Sequence, residues 1–315
     1  MRYFKIQVAL VLAVLLVGIV PFKTDSTTVV ETPLTITKTE ATSISRNWSD
    51  VELIYQDQWH DPVQLEEEMD QFNEVAPAII DLEIIGQTYQ GRNITCVTIT
   101  NEQSTYQKAK TVVVAHHHGR EQITVEMALR FIVRLINGYG VDPVITEYID
   151  TEEIFVVPSL NQDALQRIVH NDDFWLRKNL RPFDDDGDGF LDEDPYNDVD
   201  LDGQISSFDI YEKPGYYVGS YFEGIDDDGD GQVNEDEIGH VDLNRNYPVF
   251  WGDIGASSET MSQTYHGPNP FSENETMAFR DFAVQHRFAM AYSLHSGINA
   301  TYLPSNEDNI YPLPS

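Results

Sequence analysis

Aspartates alternate with other residues in three short stretches between residues 184 and 237, a spacing that could bind metal ions. Calcium takes six to eight oxygen ligands, and alternate residues of a tight loop can all point at one centre. The third stretch matches the twelve-position calcium loop throughout, with Gly231 at the sharp turn. Its predicted calcium ligands are Asp226, Asp228, Asp230, Asn234 and Glu237.

The two preceding stretches follow the same pattern less completely. The second has a shorter acidic side chain at position twelve, and its predicted ligands are Asp198, Asp200, Asp202, Ser206 and Asp209. The first has Pro195 at position twelve, so either Glu193 or Asp194 must substitute there or the coordination stays incomplete. Its predicted ligands are Asp184, Asp186, Asp188 and Asp192.

Residues 184–237 together contain 20 Asp and Glu residues and one Lys. An acidic run of this kind is commonly a solvated, disordered loop. The alternating spacing favours calcium binding instead, with two to three structural Ca²⁺ ions in an insert over 184–237. Because no helix pairs flank the loops in the sequence pattern, we expect calcium-stabilised loops and not a signalling sensor of the EF-hand type.

A second pattern places a histidine and a carboxylate three residues apart, at His118 and Glu121. Both could face one metal ion, but a catalytic zinc takes three protein ligands and keeps one position for water. His295 is the natural third candidate, although the residues alone favour a merely hydrogen-bonded histidine at a strand end. His116 and His117 are expected to be sheet or loop residues. The single cysteine excludes thiolate zinc clusters and internal disulfides, so metal chemistry must use His, Asp and Glu.

Apolar segments that are typical of strands precede these residues. They cover residues 81–86, 93–100, 110–115, 154–158 and 288–294. Helical spacing predicts a helix after the N-cap Asp61, a second over 121–137, and a third that opens at a Ser272–Glu275 capping box. This alternation predicts an α/β domain with helices on both faces of the sheet. Catalytic residues are then expected beyond the C-terminal ends of the strands.

The 315-residue chain has a net charge of −34, and hydrophobic residues make up 41% of it. The acidity argues against a nucleic-acid partner, which needs a basic face, and the apolar content suffices for a folded core. Residues 1–22 are either a cleaved signal peptide or an uncleaved membrane anchor. A Thr- and Ser-rich linker is expected over 23–50 and the main domain over 51–315. Both N-terminal alternatives predict an extracellular or cell-surface protein.

Seven short motifs occur in order along the chain. They are IGQTYQGR (85–92), HGRE (118–121), VPSLNQDA (157–164), WLRKN (175–179), VDLNRNY (241–247), YHGPNPFSENET (265–276) and LHSG (294–297). Once the acidic insert is set aside, their order and approximate spacing resemble the zinc carboxypeptidases of the carboxypeptidase A type (peptidase family M14). The resemblance covers about residues 55–315 and implies a mixed, mostly parallel sheet with helices on both faces.

The resemblance also implies one catalytic Zn²⁺, held by His118, Glu121 and His295. It implies that Asp242 orients His118, since metal-bound histidines usually need such a partner. Arg177 would stabilise the oxyanion that forms as the peptide carbonyl becomes tetrahedral.

Three further residues would then bind the substrate. Asn244 and Arg245 would grip the terminal carboxylate of a peptide, which suits a planar guanidinium, and Arg120 would contribute to binding. From the residues alone, surface salt bridges are the favoured alternative for Arg177 and Arg245 in so acidic a chain.

The family's general base is a glutamate that follows the third zinc ligand, and this chain ends 20 residues after His295. We therefore expect the base beyond residue 315, in a domain that is incomplete at its C-terminus. The predicted function is an exported, calcium-stabilised zinc metallocarboxypeptidase that hydrolyses C-terminal bonds of peptides or proteins. The alternatives are a catalytically inactive zinc- and peptide-binding protein, a calcium-dependent surface protein and, within the family, a cell-wall peptidase.

Overall fold

Helices alternate with strands along the described part of the chain. The computed structural model describes residues 44–171, 175–202, 205–227, 229, 231–234, 236–253, 255–297 and 300–301. The apolar segment predicted as a signal or anchor lies outside the described residues. Within the described ranges, no helix has the length and apolar character that a membrane crossing requires.

The elements agree in type with most of the predicted segments. The helices are α1 (Pro62–Val75), α2 (Ile123–Gly138), α3 (Pro143–Thr151), α4 (Gln162–Asn171) and α5 (Asn274–His286), with a 3₁₀ turn at Leu243–Arg245. The strands are β1 (Ile80–Gln87), β2 (Asn93–Ile99), β3 (Ala109–Ala115), β4 (Glu152–Val157), β5 (Ser207–Lys213), β6 (Tyr216–Phe222) and β7 (Met290–Leu294). Helix α1 begins as predicted, because Asp61 accepts a hydrogen bond from the Gln64 backbone and Pro62 starts the helix.

Five of the strands form one sheet in the order β1-β2-β4-β3-β7. Strand β3 pairs in parallel with β4 and β7, whereas β2 pairs antiparallel with β1 and β4. Within this sheet, four strands therefore run in one direction and β2 runs against them. This confirms the mixed, mostly parallel sheet.

Both faces of the sheet are covered. Successive side chains of a strand point to opposite faces. Val113 and Ala115 therefore join the core that includes α1, α2 and α3. Val112 and Val114 pack with Phe282 of α5 on the other face. A strand buried on both sides needs a continuous apolar sequence, which is what the KTVVVA segment supplies.

Helix α5 begins differently from the prediction. Its N-cap is Glu273, and no side chain caps the helix; the Ser272 hydroxyl donates to Glu273 Oε1 (2.6 Å) instead. Glu275 is buried and accepts a hydrogen bond from Tyr89 N (3.3 Å). The Ser272 hydroxyl also accepts a hydrogen bond from Asn246 Nδ2 (2.8 Å). The predicted capping box is therefore wrong, because tertiary contacts engage both of its side chains.

The chain is already held against the core before residue 51. Arg46 Nη1 donates to Asn137 O (2.8 Å) near the end of α2. Trp48 stacks on Tyr139, with ring centroids 5.9 Å apart. Residues 44–50 thus pack on the domain, although the sequence places them at the end of the linker.

The acidic segment, residues 184–237, contains a hairpin that the sequence analysis does not predict. Strands β5 and β6 pair antiparallel in a separate two-stranded sheet, and β5 is exposed along its whole length. Phe208, Ile210 and Tyr211 are residue types that favour strands. These strand-favouring residues lie at the end of the second aspartate repeat and directly after it, and the repeats by themselves predict loops throughout.

A buried histidine joins α1 to α2. His60 Nδ1 lies 2.7 Å from Glu126 Oε1, and its Nε2 lies 3.1 Å from Glu68 Oε1. Burial alone lowers the pKa of His60, but the two carboxylates outweigh it and raise that pKa to about 9. The charged imidazole offsets two acidic side chains at a place where unpaired charge is costly.

We expect His60→Gln to lower the free energy of unfolding by about 1–3 kcal/mol under mildly acidic conditions. The folded pKa of about 9 exceeds the unfolded value of about 6.5, so the contribution is complete below the lower value and is lost as the pH rises through the higher one. Denaturant titrations of wild type and variant should therefore converge as the pH approaches 9. His170→Gln is the control, because that side chain is 48% exposed. A difference that does not change with pH would contradict the assignment.

Candidate active site

The C-terminal ends of β3 and β7 carry the two candidate histidines. Ala115 and Leu294 lie opposite each other in the parallel register, with His118 just beyond the first and His295 directly after the second. Parallel strands end at the same edge of a sheet, so the two side chains meet there. Their ring centroids lie 4.8 Å apart.

Glu121 completes the cluster. Its Oε1 lies 2.8 Å from His118 Nδ1, and its Oε2 lies 2.9 Å from His295 Nδ1. One candidate ligand atom from each of the three residues lies within 4.8 Å of the others. Burial opposes ionisation of Glu121, but hydrogen bonds to the two imidazoles hold its pKa well below the usual range.

Asp242 lies between the histidine cluster and Arg177. Its Oδ1 is 3.2 Å from His118 Nε2, and its Oδ2 is 2.9 Å from Arg177 Nε and 2.8 Å from Nη2. Burial opposes ionisation, but His118 and then Arg177 hold the pKa of Asp242 below its ordinary value. The carboxylate also caps the 3₁₀ turn by accepting from Asn244 N (3.0 Å). The arginine's salt bridge is thus buried, and not the surface contact considered as an alternative.

Backbone hydrogen bonds hold the HGRE motif against the WLRKN motif. Gly119 N donates to Arg177 O (3.2 Å), and Arg120 N donates to Leu176 O (2.8 Å). A Cβ atom on Gly119 would lie 2.9 Å from Leu176 O, so this close approach requires glycine. The pairing places Arg177 beside His118.

His117 contacts the cluster through hydrogen bonds to neighbouring side chains. Its Nε2 lies 2.8 Å from Tyr247 Oη, and its Nδ1 lies 3.2 Å from Ser293 Oγ, which is itself 3.1 Å from His295 Nε2. Burial lowers the pKa of His117 to about 3, so the ring is neutral. Ser293 lies just outside the LHSG motif, and the one available signal for it is that it precedes His295 by two residues and so points to the same side of the strand. Tyr247 ends the VDLNRNY motif, but the sequence gives it no role in the site.

The predicted substrate-binding residues surround this cluster. Asn244 Nδ2 lies 3.3 Å from His295 Nε2. Arg245 Nε donates to Gly255 O (2.7 Å), and exposed Arg120 donates from Nη1 to Trp175 O (3.3 Å). Among the described residues, backbone carbonyls and no acidic side chains hold these two guanidinium groups.

Two of the predicted calcium loops gather carboxylates. The first brings together Asp184, Asp186 and Asp188. The second brings Asp198 and Asp200 together with Glu223, a residue that the loop pattern does not assign.

Glu223, and not Asp209, lies in this group of carboxylates. Asp209 lies in β5 and pairs with β6, and the hairpin returns the chain so that Ser206 N donates to Glu223 Oε1 (3.1 Å). Asp202 contributes its backbone N–H, which donates to Asp198 Oδ1 (3.1 Å). The pairing of β5 with β6, which the twelve-position pattern does not predict, thus determines which acidic side chain lies beside this loop.

Two other predicted calcium ligands face the protein. Asp192 accepts hydrogen bonds from Gly239 N (3.3 Å) and Phe183 N (3.4 Å). Glu237 Oε2 lies 2.8 Å from Lys178 Nζ, whose side chain is 1% exposed. Glu237 therefore ties the acidic segment to the WLRKN motif, next to Arg177.

The third loop is described in part. Asp226 accepts a hydrogen bond from Gly231 N (3.1 Å), and Asn234 Nδ2 donates to Phe222 O (3.1 Å). Asp228 and Asp230 lie outside the described residues.

The donor set at the histidine cluster suits zinc. Zinc sites take imidazole nitrogens and carboxylate oxygens, and catalytic ones combine three such ligands with an open position. Both Nδ1 atoms face Glu121, while His118 Nε2 is buried beside Asp242 without a well-aligned hydrogen bond. A proton on Nε2 would face that carboxylate and leave Nδ1 as the metal-facing lone pair.

Comparison with known proteins gives the family. The family model described as zinc carboxypeptidase, Peptidase_M14, matches residues 65–312. The chain belongs to the M14 zinc carboxypeptidase family. In this M14 chain the match includes His118, Glu121 and His295, together with the whole acidic segment.

Curated relatives resemble parts of this M14 chain. A zinc carboxypeptidase of Saccharothrix mutabilis subsp. capreolus is 31% identical over 109 residues, 34% of this chain and 25% of that protein. Carboxypeptidase A2 of Rattus norvegicus is 23% identical over 239 residues, 76% of this chain and 44% of that protein. The chain thus spans less than half the length of these two relatives.

A solved structure shares the fold of this M14 chain. The crystal structure of carboxypeptidase A from Helicoverpa armigera aligns with a TM-score of 0.53 and 21% identity, covering 80% of this chain and 49% of that one.

We expect that wild type retains zinc through dialysis and that His118→Ala and His295→Ala each lose it, because two remaining ligands do not complete a zinc site. Asp242→Asn should weaken zinc binding by about 10–100-fold, since it changes only the partner of a ligand. Metal content by atomic absorption and competition with a chelator measure both effects. His170→Ala, on an exposed histidine outside the cluster, is the control. Equal zinc content in wild type and His295→Ala would contradict the site.

Proposed function

We propose that the protein is an exported zinc metallocarboxypeptidase that removes residues from the C-termini of peptides or proteins. The observation that carries the proposal is the convergence of His118, Glu121 and His295 beyond β3 and β7, with Arg177 held beside them. Family membership supports the reaction class, and the N-terminal apolar segment supports export. Residues 51–315 would form the catalytic domain, with residues 184–237 as its insert.

The three proposed ligands would hold one zinc ion. When bound, zinc supplies Lewis-acid chemistry to a peptide carbonyl and to water. Asp242 would keep His118 in the tautomer that presents Nδ1, because its carboxylate faces Nε2. Glu121 stays ionised and adds a negative ligand oxygen.

Arg177 would stabilise the charge that develops on the carbonyl oxygen. Asp242 binds the Nε and Nη2 edge of the guanidinium, which orients the group. Nη1 has no partner among the described residues, so it is the donor that a developing oxyanion would meet. A donor already fixed in place needs no reorganisation during the reaction.

Arg245 and Asn244 would recognise the terminal carboxylate. The Arg245 side chain is anchored through Nε on Gly255 O, with its charge unpaired by any acidic side chain in the described ranges. A guanidinium held in this way can bind a carboxylate bidentately. Arg120, exposed next to the cluster, would contribute a further contact to the peptide.

Calcium ions in the acidic segment would stabilise the domain. Grouped carboxylates at Asp184, Asp186 and Asp188, and at Asp198, Asp200 and Glu223, support this part of the proposal. Oxygen-only sites of this kind suit Ca²⁺.

The test uses the zinc-loaded full-length gene product and two peptides that differ only in a free or an amidated C-terminus. We expect the last residue to be released only from the peptide with the free C-terminus. Mass spectrometry detects the shortened peptide. Arg245→Gln should raise KM for the free peptide by about 10–100-fold. That factor corresponds to the loss of one charge-assisted hydrogen bond. Arg134→Gln is the matched control, because Arg134 lies on α2 with its side chain 47% exposed.

The outcomes separate the alternatives. Zinc in one-to-one ratio with carboxylate-dependent peptide binding and no release would favour the inactive binding protein and contradict the enzyme. Absence of zinc binding would overturn both.

A further inference from the structure

The first and third loops of the acidic segment (residues 184–195 and 226–237) have the same local geometry. Asp184 accepts hydrogen bonds from Gly187 N (2.5 Å) and Gly189 N (3.1 Å). Asp226 accepts the equivalent bonds from Gly229 N (2.5 Å) and Gly231 N (3.1 Å). The two loops are thus repeats of one structural unit.

Each loop also caps the other, through the residue at position eleven. Asp194, from the first loop, accepts from Asp227 N (3.0 Å) and Asn234 N (3.0 Å) in the third. Asp236, from the third loop, accepts through Oδ1 from Asp185 N and Asp186 N in the first. The loops are therefore paired face to face, and neither is complete without the other.

The second oxygen of Asp236 lacks a partner. The residue is 0% exposed, and its Oδ2 makes no hydrogen bond among the described residues. Glu193 Oε2 is likewise buried without a hydrogen bond. One oxygen each from Asp186, Glu193 and Asp236 lies within 4.8 Å of the others.

Among the described residues, no lysine, arginine or histidine forms an ion pair with these three carboxylates; the Lys178 ammonium pairs with Glu237. Of the three residues, Asp236 is buried, Glu193 is half-buried and Asp186 is exposed. Carboxylates that face one another around a buried member are unfavourable without a positive charge, because the buried group loses hydration and the charges repel. A bound cation removes both penalties. Three carboxylate oxygens with no nitrogen or sulfur donor suit a hard divalent ion of the calcium class.

We propose that Asp186, Glu193 and Asp236 form a composite divalent-cation site, in which the third loop supplies a ligand to the ion of the first. The pattern that assigns ligands loop by loop leaves the first loop with Pro195 at its last position. Asp236 reaches the first loop from 41 positions beyond Pro195 and provides the missing acidic oxygen. Glu193, two residues before that proline, provides another.

This inference extends the calcium part of the proposed function but does not depend on zinc or on peptidase activity. Its test is calcium binding by the metal-depleted 315-residue chain. A negative peptidase assay therefore leaves the composite site intact, and a failed calcium titration leaves the peptidase proposal intact.

The experiment follows the backbone amides of Gly189 and Gly231 by NMR during a calcium titration. Glycine labelling with ¹⁵N keeps the spectrum simple, because the chain has 19 glycines. Each of these two glycines occupies position six of its own loop and so reports on that loop. In wild type we expect both amides to shift with calcium.

Asp236→Asn should raise the calcium concentration for the Gly189 shift by about tenfold or more, although residue 236 belongs to the other loop. The amide oxygen of Asn can still accept from Asp185 N and Asp186 N, so the cap is kept while the charge is removed. Glu193→Gln should raise the same midpoint, because it removes the charge and keeps an acceptor oxygen in the side chain. Asp227→Asn makes the same charge change on an exposed neighbour and should leave the Gly189 midpoint unchanged.

Other results overturn the proposal. One is a Gly189 amide in wild type whose chemical shift does not change with calcium. Another is a Gly189 midpoint in Asp236→Asn that equals the wild-type value. The third is a Gly189 midpoint that rises in Asp236→Asn but not in Glu193→Gln. Thermal unfolding without calcium identifies a variant that has lost its fold, and in that case the Glu193→Gln titration decides.

Discussion

Ala115 and Leu294 lie opposite each other in the parallel pairing of β3 with β7, and this register carries the candidate active site. It brings Glu121 and His295 into contact although they are 174 positions apart in the chain. A shift of one residue would turn the following side chain to the other face of the sheet. The apolar faces of β3, packed on both sides, hold the register, so the geometry of the site depends on core packing as well as on its own polar contacts.

Buried carboxylates near this part of the sheet are paired with cationic or hydrogen-bond-donating side chains. His60 sits between two glutamates, and Asp242 sits between an imidazole and Arg177. Each of these carboxylates has a positive or proton-donating partner, as burial requires. The facing pair of Glu193 and Asp236 breaks the rule, which is why a cation is inferred there and not at every acidic group of the surface.

The acidic segment and the active site share one short stretch of chain. Arg177 contacts Asp242, and its neighbour Lys178 pairs with Glu237 at the end of the third loop. The next residue, Asn179, donates to Glu273 (2.8 Å) before α5. Consecutive side chains of WLRKN therefore link the proposed oxyanion arginine, the acidic loops and the helix on the far face of the sheet. In the sequence the insert is separate from this motif, whereas in the fold side-chain contacts join them.

The sequence by itself determined the five strands of the main sheet, helices α1, α2 and α5, the residue types of the His–Glu cluster and the presence of repeated acidic loops. These features depend on local spacing: an apolar run, a cap such as Asp61, or alternate aspartates around a glycine. Only the tertiary structure decided that Ser272 does not cap α5, that Glu223 lies beside Asp198 and Asp200, and that Asp236 reaches the first loop. The physical reason is that local spacing states which residues can share one turn or one strand face. Contacts between distant segments depend instead on strand register and on which buried groups compete for the same partner.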